Sequence, residues 1–220
     1  MSPAALIAAG GRGDRAAAPS PGRPKQFREI AGKSLIEWSI EVLRSSGCDP
    51  VVVVIPEDST LDTASLGAGI EVAQGGSRRQ DSVRKGLELV KSDRVVIHDA
   101  ARPLVSPSLV ERVLEALRTH AGAVPVLPCV ETIKRVERHL VRETIDRSTL
   151  WRAQTPQAFR TEVLKAAHER AAADGIDVTD DAQLLETYGG IVAVVEGDPY
   201  NMKITYPSDF DVAEALLSLR

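Results

Sequence analysis

The sequence predicts a three-layer α/β protein around a mostly parallel sheet, and three observations carry that prediction. First, Val51-Val52-Val53-Val54-Ile55 is an unbroken β-branched run, the pattern of a strand covered on both faces. Second, apolar runs alternate with segments of helical period, giving the order β-α-β-β-α-β-α-β as far as Leu127, which packs most simply with helices on both faces of one sheet. Third, that rhythm breaks after residue 131 into two polar strands whose charges face both ways. Such a pair cannot be buried within one domain and reads as a hairpin arm that projects.

Taken in order, Ala4 to Ala9 is a short apolar strand that empties into a glycine-rich loop. Ser34 with Glu37 forms a capping box for a helix to Ser46, with Ile36, Ile40 and Leu43 on one face and Gly47 as its stop. Val51 to Ile55 and Ile70 to Ala73 are strands. Ser77-Arg78-Arg79-Gln80 reads as a second capping box, opening a helix to about Val90. Arg94 to His98 is a strand ending at Asp99, and Ser106-Pro107 opens a helix with proline at its first position. Gly122 to Leu127 is the next strand. The arm follows, Thr132 to Val136 and Leu140 to Thr144 joined by Glu137-Arg138-His139, and an exposed pair of this kind is expected to pack on a second subunit. Helices near Thr161 to Ala173 and Asp180 to Tyr188, a strand at Ile191 to Val195, an extended Asn201 to Thr205 and a helix over about Asp209 to Leu219 complete the chain.

At 220 residues the simplest organisation is one domain over 1–220, with the arm at about 131–150. The net charge of −4 lacks the basic footprint of a nucleic-acid binder. Local charge says more: residues 12–33 hold six Arg or Lys against Asp14 and Glu29, a basic island suited to a small anionic ligand. Cys48 and Cys129 have neither disulfide nor zinc spacing, which suggests a reducing, cytoplasmic setting. The N-terminus lacks the cationic start of a signal peptide, and no apolar stretch reaches membrane-spanning length.

The loop from Ala8 to Lys25 is the leading candidate site. Glycines at 10, 11 and 13 let backbone amides approach a polyphosphate, and Arg12, Arg15, Arg23 and Lys25 bring cations to it. The competing reading is a solvated surface turn. Two other phosphate motifs fail: Gly11 to Ala16 fits a dinucleotide fingerprint, but Pro19, Pro21 and Pro24 forbid the helix it requires. Gly32-Lys33-Ser34 mimics the end of a Walker A loop, yet Phe27 stands where its first glycine should be.

The second candidate is His98-Asp99-Ala100-Ala101-Arg102-Pro103, at the carboxyl end of a strand where open α/β sheets bind ligands. Asp99 suits a Mg²⁺ ligand, Ala100 leaves room, and Arg102 could clamp a phosphate, or Asp99 and Arg102 could simply pair. Lys203 stands in an alternating segment where a solvated lysine would be dull; Asp180-Asp181 reads as a helix cap. The four histidines show no ligand spacing and there is no G-x-S-x-G elbow, so nucleophilic hydrolysis has little support.

Together these pieces resemble the 2-C-methyl-D-erythritol 4-phosphate cytidylyltransferases of the non-mevalonate isoprenoid pathway. The matching stretches are Ala8-Ala9-Gly10 with Gly13-Asp14-Arg15, Pro24-Lys25-Gln26-Phe27, Gly75-Gly76-Ser77 through Asp81-Ser82-Val83, and His98 to Pro103. Thr132-Ile133-Lys134, Asp146-Arg147, Gln154-Thr155-Pro156-Gln157 and Lys203-Ile204-Thr205 follow in family order. The resemblance implies a Rossmann-like nucleotidyltransferase fold, a homodimer with interlocked arms, and CTP and a sugar-alcohol phosphate as substrates. It implies a cytidine pocket of Ala8, Ala9, Gly10, Gly76, Ser82 and Ala100, and triphosphate contacts from Gly13 and Lys25. Asp99 would hold Mg²⁺ near the ribose. Arg102, Thr132, Arg147 and Lys203 would position methylerythritol phosphate, and Arg15, Lys25, Arg147 and Lys203 would carry catalysis. One departure is an extra loop residue, Gly11-Arg12-Gly13-Asp14-Arg15, so that Arg12 competes with Arg15 for the family arginine. A ribitol-5-phosphate cytidylyltransferase shares this logic, and a non-catalytic nucleotide sensor is the reading from another class. At 220 residues the chain is expected to lack the cyclodiphosphate synthase fused to some relatives.

Overall fold

The computed structural model describes residues 1–10, 25–57, 59 and 66–219. In chain order these form β1 (Ala4–Ala8), β2 (Glu29–Ile30), β3 (Lys33–Ser34), α1 (Leu35–Ser45), β4 (Val51–Ile55), β5 (Ile70–Gln74), α2 (Arg79–Leu87) and β6 (Arg94–Asp99). They continue as α3 (Pro107–Ala116), β7 (Gly122–Pro128), β8 (Ile133–Glu137), β9 (Leu140–Ile145), β10 (Trp151–Ala153), β11 (Gln157–Arg160), α4 (Thr161–Asp174), α5 (Asp181–Thr187), β12 (Val192–Glu196) and α6 (Ser208–Leu217).

Eight of the strands make one sheet. Its parallel half runs β6-β1-β4-β5, with Ala8 opposite both Val54 and Asp99. Beyond β6 lies β11, antiparallel to it and to β7, with β12 parallel to β7 on the far side. The register of β10 on β7, Ala153 opposite Val126, leads on to Ala158 opposite Ala123 in β11. Thus β10 and β11 are halves of one antiparallel line, interrupted at Gln154-Thr155-Pro156, where the Thr155–Pro156 peptide is cis.

Burial explains the layers. Ala5, Ile7, Val51 and Val53 point to one face, where they meet Ile36, Ile40 and Leu43 of α1 and Val110 and Val113 of α3. Their alternates, Leu6, Val52 and Val54, point to the other and meet Val83 and Leu87 of α2, Leu164 of α4 and Leu184 of α5. Every residue of β4 is buried, as its β-branched run requires. A third cluster seats α6 through Phe210 and Ala213 against Leu35, Leu104 and Ile204. This brings the C-terminal segment back beside the end of β6.

Local signals mostly act as read. Ser34 and Glu37 cap α1 reciprocally, and Gly47 follows it at φ 81°. The second capping box does not form, because its residues have stronger partners elsewhere. The N-cap of α2 is Arg78 without a side-chain bond, and Ser77 donates to Asp81. Gln80 instead binds the backbone of Ile176 and Val178. Asn201 to Thr205, expected to be extended, forms no strand. The tiny hairpin of β2 and β3 had no advance signal.

The arm is β8 and β9, paired only with each other. Its turn residues Arg138 and His139 both take positive φ. Lys134 to Thr144 are exposed on both faces, and Val136, Leu140, Val141 and nearby Trp151 are each more than half exposed.

Candidate active site

Strand ends create the site. At its carboxyl end β1 delivers Ala8, Ala9 and Gly10, while β6 delivers Asp99, Ala100 and Ala101 beside them. The N-terminus of α2 supplies Arg79 and Ser82, and the turn of 3₁₀ helix at Lys25–Phe27 returns the chain to the same edge. These residues, with Gln26 and Lys203, line a cleft of about 240 Å³. It sits where ligands bind in open α/β sheets.

The walls are fixed by hydrogen bonds. Gln26 Nε2 donates to Ala9 O at 2.6 Å, and Lys25 Nζ donates to Ile204 O at 2.7 Å. Sequence-distant ends of the chain therefore meet at one strand edge. Gly10 is required by close approach: a Cβ there would stand 2.8 Å from Ser82 Oγ and 3.7 Å from Gly75 Cα. Ser82 Oγ in turn accepts from the Gly76 amide at 3.0 Å and donates to Arg78 O. The Gly76 amide is therefore already used to shape the turn.

Asp99 is the electrostatic centre. Its Oδ1 accepts from Arg79 Nε at 3.0 Å and its Oδ2 from Lys203 Nζ at 2.6 Å. Burial pushes the carboxyl upward in pKa, but Arg79 and then Lys203 outweigh it and hold Asp99 well below the usual carboxylate range. Arg79 also reaches Asp181 Oδ2 at 2.7 Å, and Asp181 Oδ1 faces His168 Nε2 at 3.2 Å. Asp181 is likewise held low: burial opposes ionisation, and Arg79 and His168 overcome it.

Behind Asp99 the interrupted β10–β11 line supplies a polar layer. Thr155 Oγ1 accepts from the Asp99 amide at 3.0 Å and lies 3.2 Å from His98 Nδ1. Arg102 O, 3.1 Å from Nε2, can only accept, so the neutral His98 ring carries its proton on Nε2 and the Thr155 hydroxyl donates to Nδ1. Burial lowers the His98 pKa to about 4, so the ring is neutral at ordinary pH. Asn201 donates to Thr155 O at 2.8 Å, and Gln154 donates to Asn201 O at 3.2 Å. Arg102 donates Nη1 to Asn201 O at 2.8 Å, and its Nε is buried without a partner among the described residues.

Of the residues singled out from the sequence, Ala8, Ala9, Gly10, Lys25, Ser82, Asp99, Ala100 and Lys203 come together in the cleft. Gly76 lies next to it through Ser82, and Arg102 stands behind it on the Asn201 carbonyl. Thr132 and Arg147 are exposed at the base of the arm, where Arg147 donates to Val130 O, and neither lines this cleft. Gly13, Arg15 and Arg12 lie outside the described residues. Arg79, Asp181 and His168 were missed. Arg79 was legible only as part of a cap, and Asp181 only as the neighbour of the capping residue Asp180. Their pairing spans 102 residues, which no local pattern reports.

The fit of a divalent cation is limited by this geometry. Among the described residues no group of three potential ligands exists, and Asp99 is the one carboxylate on the cleft. A carboxylate has about four lone-pair sites, so Asp99 retains acceptor capacity beyond its two cations. One carboxylate plus phosphate oxygens is an ordinary Mg²⁺ environment.

A glycine-lined strand-end cleft with converging lysines, on this sheet, defines an α/β protein of the nucleotidyltransferase fold. A family profile described as 2-C-methyl-D-erythritol 4-phosphate cytidylyltransferase matches residues 4–219, and the chain belongs to that family. It is 42% identical to the protein of that name from Aquifex aeolicus, over 97% of this chain and 96% of the relative. It is also 42% identical to the bifunctional enzyme IspD/IspF of Rhodospirillum rubrum, over 97% of this chain but 56% of the relative. The chain thus spans about half the length of such bifunctional relatives. The crystal structure of 2-C-methyl-D-erythritol 4-phosphate cytidylyltransferase from Thermus thermophilus superposes with a TM-score of 0.86 at 37% identity, covering 99% of this chain and all of that one.

Proposed function

We propose that this chain transfers a cytidylyl group from CTP to 2-C-methyl-D-erythritol 4-phosphate, releasing pyrophosphate, in isoprenoid precursor synthesis. Its membership of the family supports the reaction. The observation that carries it is the convergence of Lys25 and Lys203 on the Asp99 cleft. In the reaction an oxygen of the sugar phosphate bonds to the α-phosphorus of CTP as the bond to the pyrophosphate oxygen breaks. The nucleophile is already ionised, so no protein base is required. Catalysis is then alignment and neutralisation of charge on the phosphoryl oxygens.

In this reading Ala8, Ala9, Gly10, Ala100, Gly76 and Ser82 shape the nucleoside pocket. Lys25, with Gly13 and Arg15, receives the triphosphate. Lys203, Arg102, Thr132 and Arg147 receive the sugar phosphate. Asp99 would hold Mg²⁺ together with phosphate oxygens, and the ion would neutralise triphosphate charge. The arm at about 131–150 would make a homodimer, carrying Thr132 and Arg147 to the neighbouring cleft; its exposed Val136, Leu140 and Val141 support an interface there. The net charge of −4 favours neither nucleic acid nor an anionic membrane, no described helix is long and apolar enough to cross a membrane, and the cytoplasm is the expected compartment.

The test is pyrophosphate release from CTP with methylerythritol phosphate and, separately, ribitol 5-phosphate. Turnover with the first is expected. Preference for the second would reassign the substrate, and turnover with neither, with Mg²⁺ present, would leave a nucleotide sensor.

A further inference from the structure

Two cations share Asp99, and their surroundings differ. Lys203 reaches Oδ2 by one bond at 2.6 Å from a side chain that is 41% exposed. Arg79 reaches Oδ1 at 3.0 Å while its other end is held at 2.7 Å by Asp181, which is 1% exposed. Asp181 is itself anchored. It opens α5, where a negative charge is favoured by the helix dipole, and its second oxygen meets the buried His168. Asp180 caps that helix through the Gln183 amide, and Gln157 accepts from the Ala182 amide. The Arg79 fork is therefore braced by two elements remote from the cleft, whereas the Lys203 ammonium meets Asp99 from the end of its own flexible stem.

We infer that Arg79 is the permanent counter-ion of Asp99 and Lys203 the exchangeable one, Arg79 being a positioning residue that frees Lys203 to move to the phosphate of the incoming substrate. The inference rests on the proposed activity for the identity of that phosphate, though not for the exchange itself. A carboxylate with a single cation holds it; a carboxylate that keeps a fixed guanidinium, even one shared with Asp181, can release its second cation without losing its last paired counter-ion. Arginine suits the fixed role because its planar fork bridges two carboxylates at once. A lysine suits the mobile role as a compact charge on a rotatable stem.

The test replaces the fixed pair by neutral amides, Arg79→Gln with Asp181→Asn, so that no buried carboxylate is left alone. Lys203 then becomes the one cation paired directly with Asp99. Under limiting acetylating reagent, read by mass spectrometry against Lys134 of the arm, Lys203 should label several-fold more slowly than in the unaltered chain. The KM for methylerythritol phosphate should rise about tenfold while that for CTP changes less than about twofold. Arg79→Lys, which keeps a cation beside Asp99, should return both readouts most of the way. Labelling of Lys203 at the original rate, or equal rises in both KM values, overturns the assignment. Slowed labelling in a chain whose unaltered form turns over neither sugar phosphate would sustain the exchange and sink the activity instead.

Discussion

The cleft and the arm are built from the same charged residue types and use them in opposite ways. In the arm, Arg135 pairs with Glu143 at 2.8 Å, but the two side chains are 60% and 55% exposed. Behind the cleft, Arg79 pairs with Asp181 at a similar distance, and Asp181 is 1% exposed. Geometry alone would rank these pairs as equals. Solvent separates them: an exposed pair competes with water and salt, whereas a buried one left half-broken strands a charge. The arm can therefore tolerate loss of its pairs. The cleft cannot, because its charges set one another's positions.

The sharpest way to test the contrast is Lys25→Ala. If Lys25 meets charge that develops on the departing pyrophosphate, kcat should fall by about 10²–10³, the scale of losing one preorganised donor, with little change in CTP affinity. Steady-state kinetics decide: a raised KM for CTP with kcat intact would make Lys25 a binding group only.

A second test uses pH. His98 is neutral and buried, its pKa lowered from 6.5 to about 4. Above the unfolded value neither state binds the proton and His98 costs nothing. As pH falls from about 6.5 to about 4 the unfolded chain takes up a proton that the folded chain refuses, and stability should drop by up to about 3 kcal/mol. Asp99 and Asp181, both held low, contribute above the ordinary carboxylate range and lose that contribution only below about pH 4. Urea midpoints between pH 7 and 4.5 should therefore decline in the unaltered protein and flatten in His98→Gln, whose amide does not titrate. Parallel declines would place the titrating group elsewhere.

Third, Arg147→Ala should raise the KM for the sugar phosphate about tenfold and leave CTP binding, followed by calorimetry, nearly intact. If the arm serves the neighbouring cleft, mixing impaired Arg147→Ala and Lys203→Ala chains should restore about a quarter of the sites, since one site in each mixed dimer is whole. No recovery on mixing would assign the arm to its own cleft. The smallest effect is expected from Arg135→Ala, less than about 1 kcal/mol in urea unfolding. A larger loss would mean that this exposed pair is buried against a partner.

Much of this organisation is legible along the chain because it depends on near neighbours. The β4 run, the Ser34–Glu37 cap of α1, Pro107 at the start of α3 and the two-faced polarity of β8 and β9 each state their own environment. The site was readable in part for the same reason: glycines after β1 and Asp99 at the end of β6 are strand-end features. The second cap failed because Gln80 found partners near residue 176, beyond the reach of any local rule.

What the sequence by itself determined is which segments are strands and helices and which faces must be buried, because propensity, periodicity and composition act within a few residues. Only the tertiary structure decided that Lys203 and Arg79 share Asp99, that Lys25 leans on Ile204, and that Asp181 braces Arg79. Those contacts join residues 20 to 179 positions apart, and they form only where the sheet lays β1 beside β6 and α6 packs the C-terminal segment back against them.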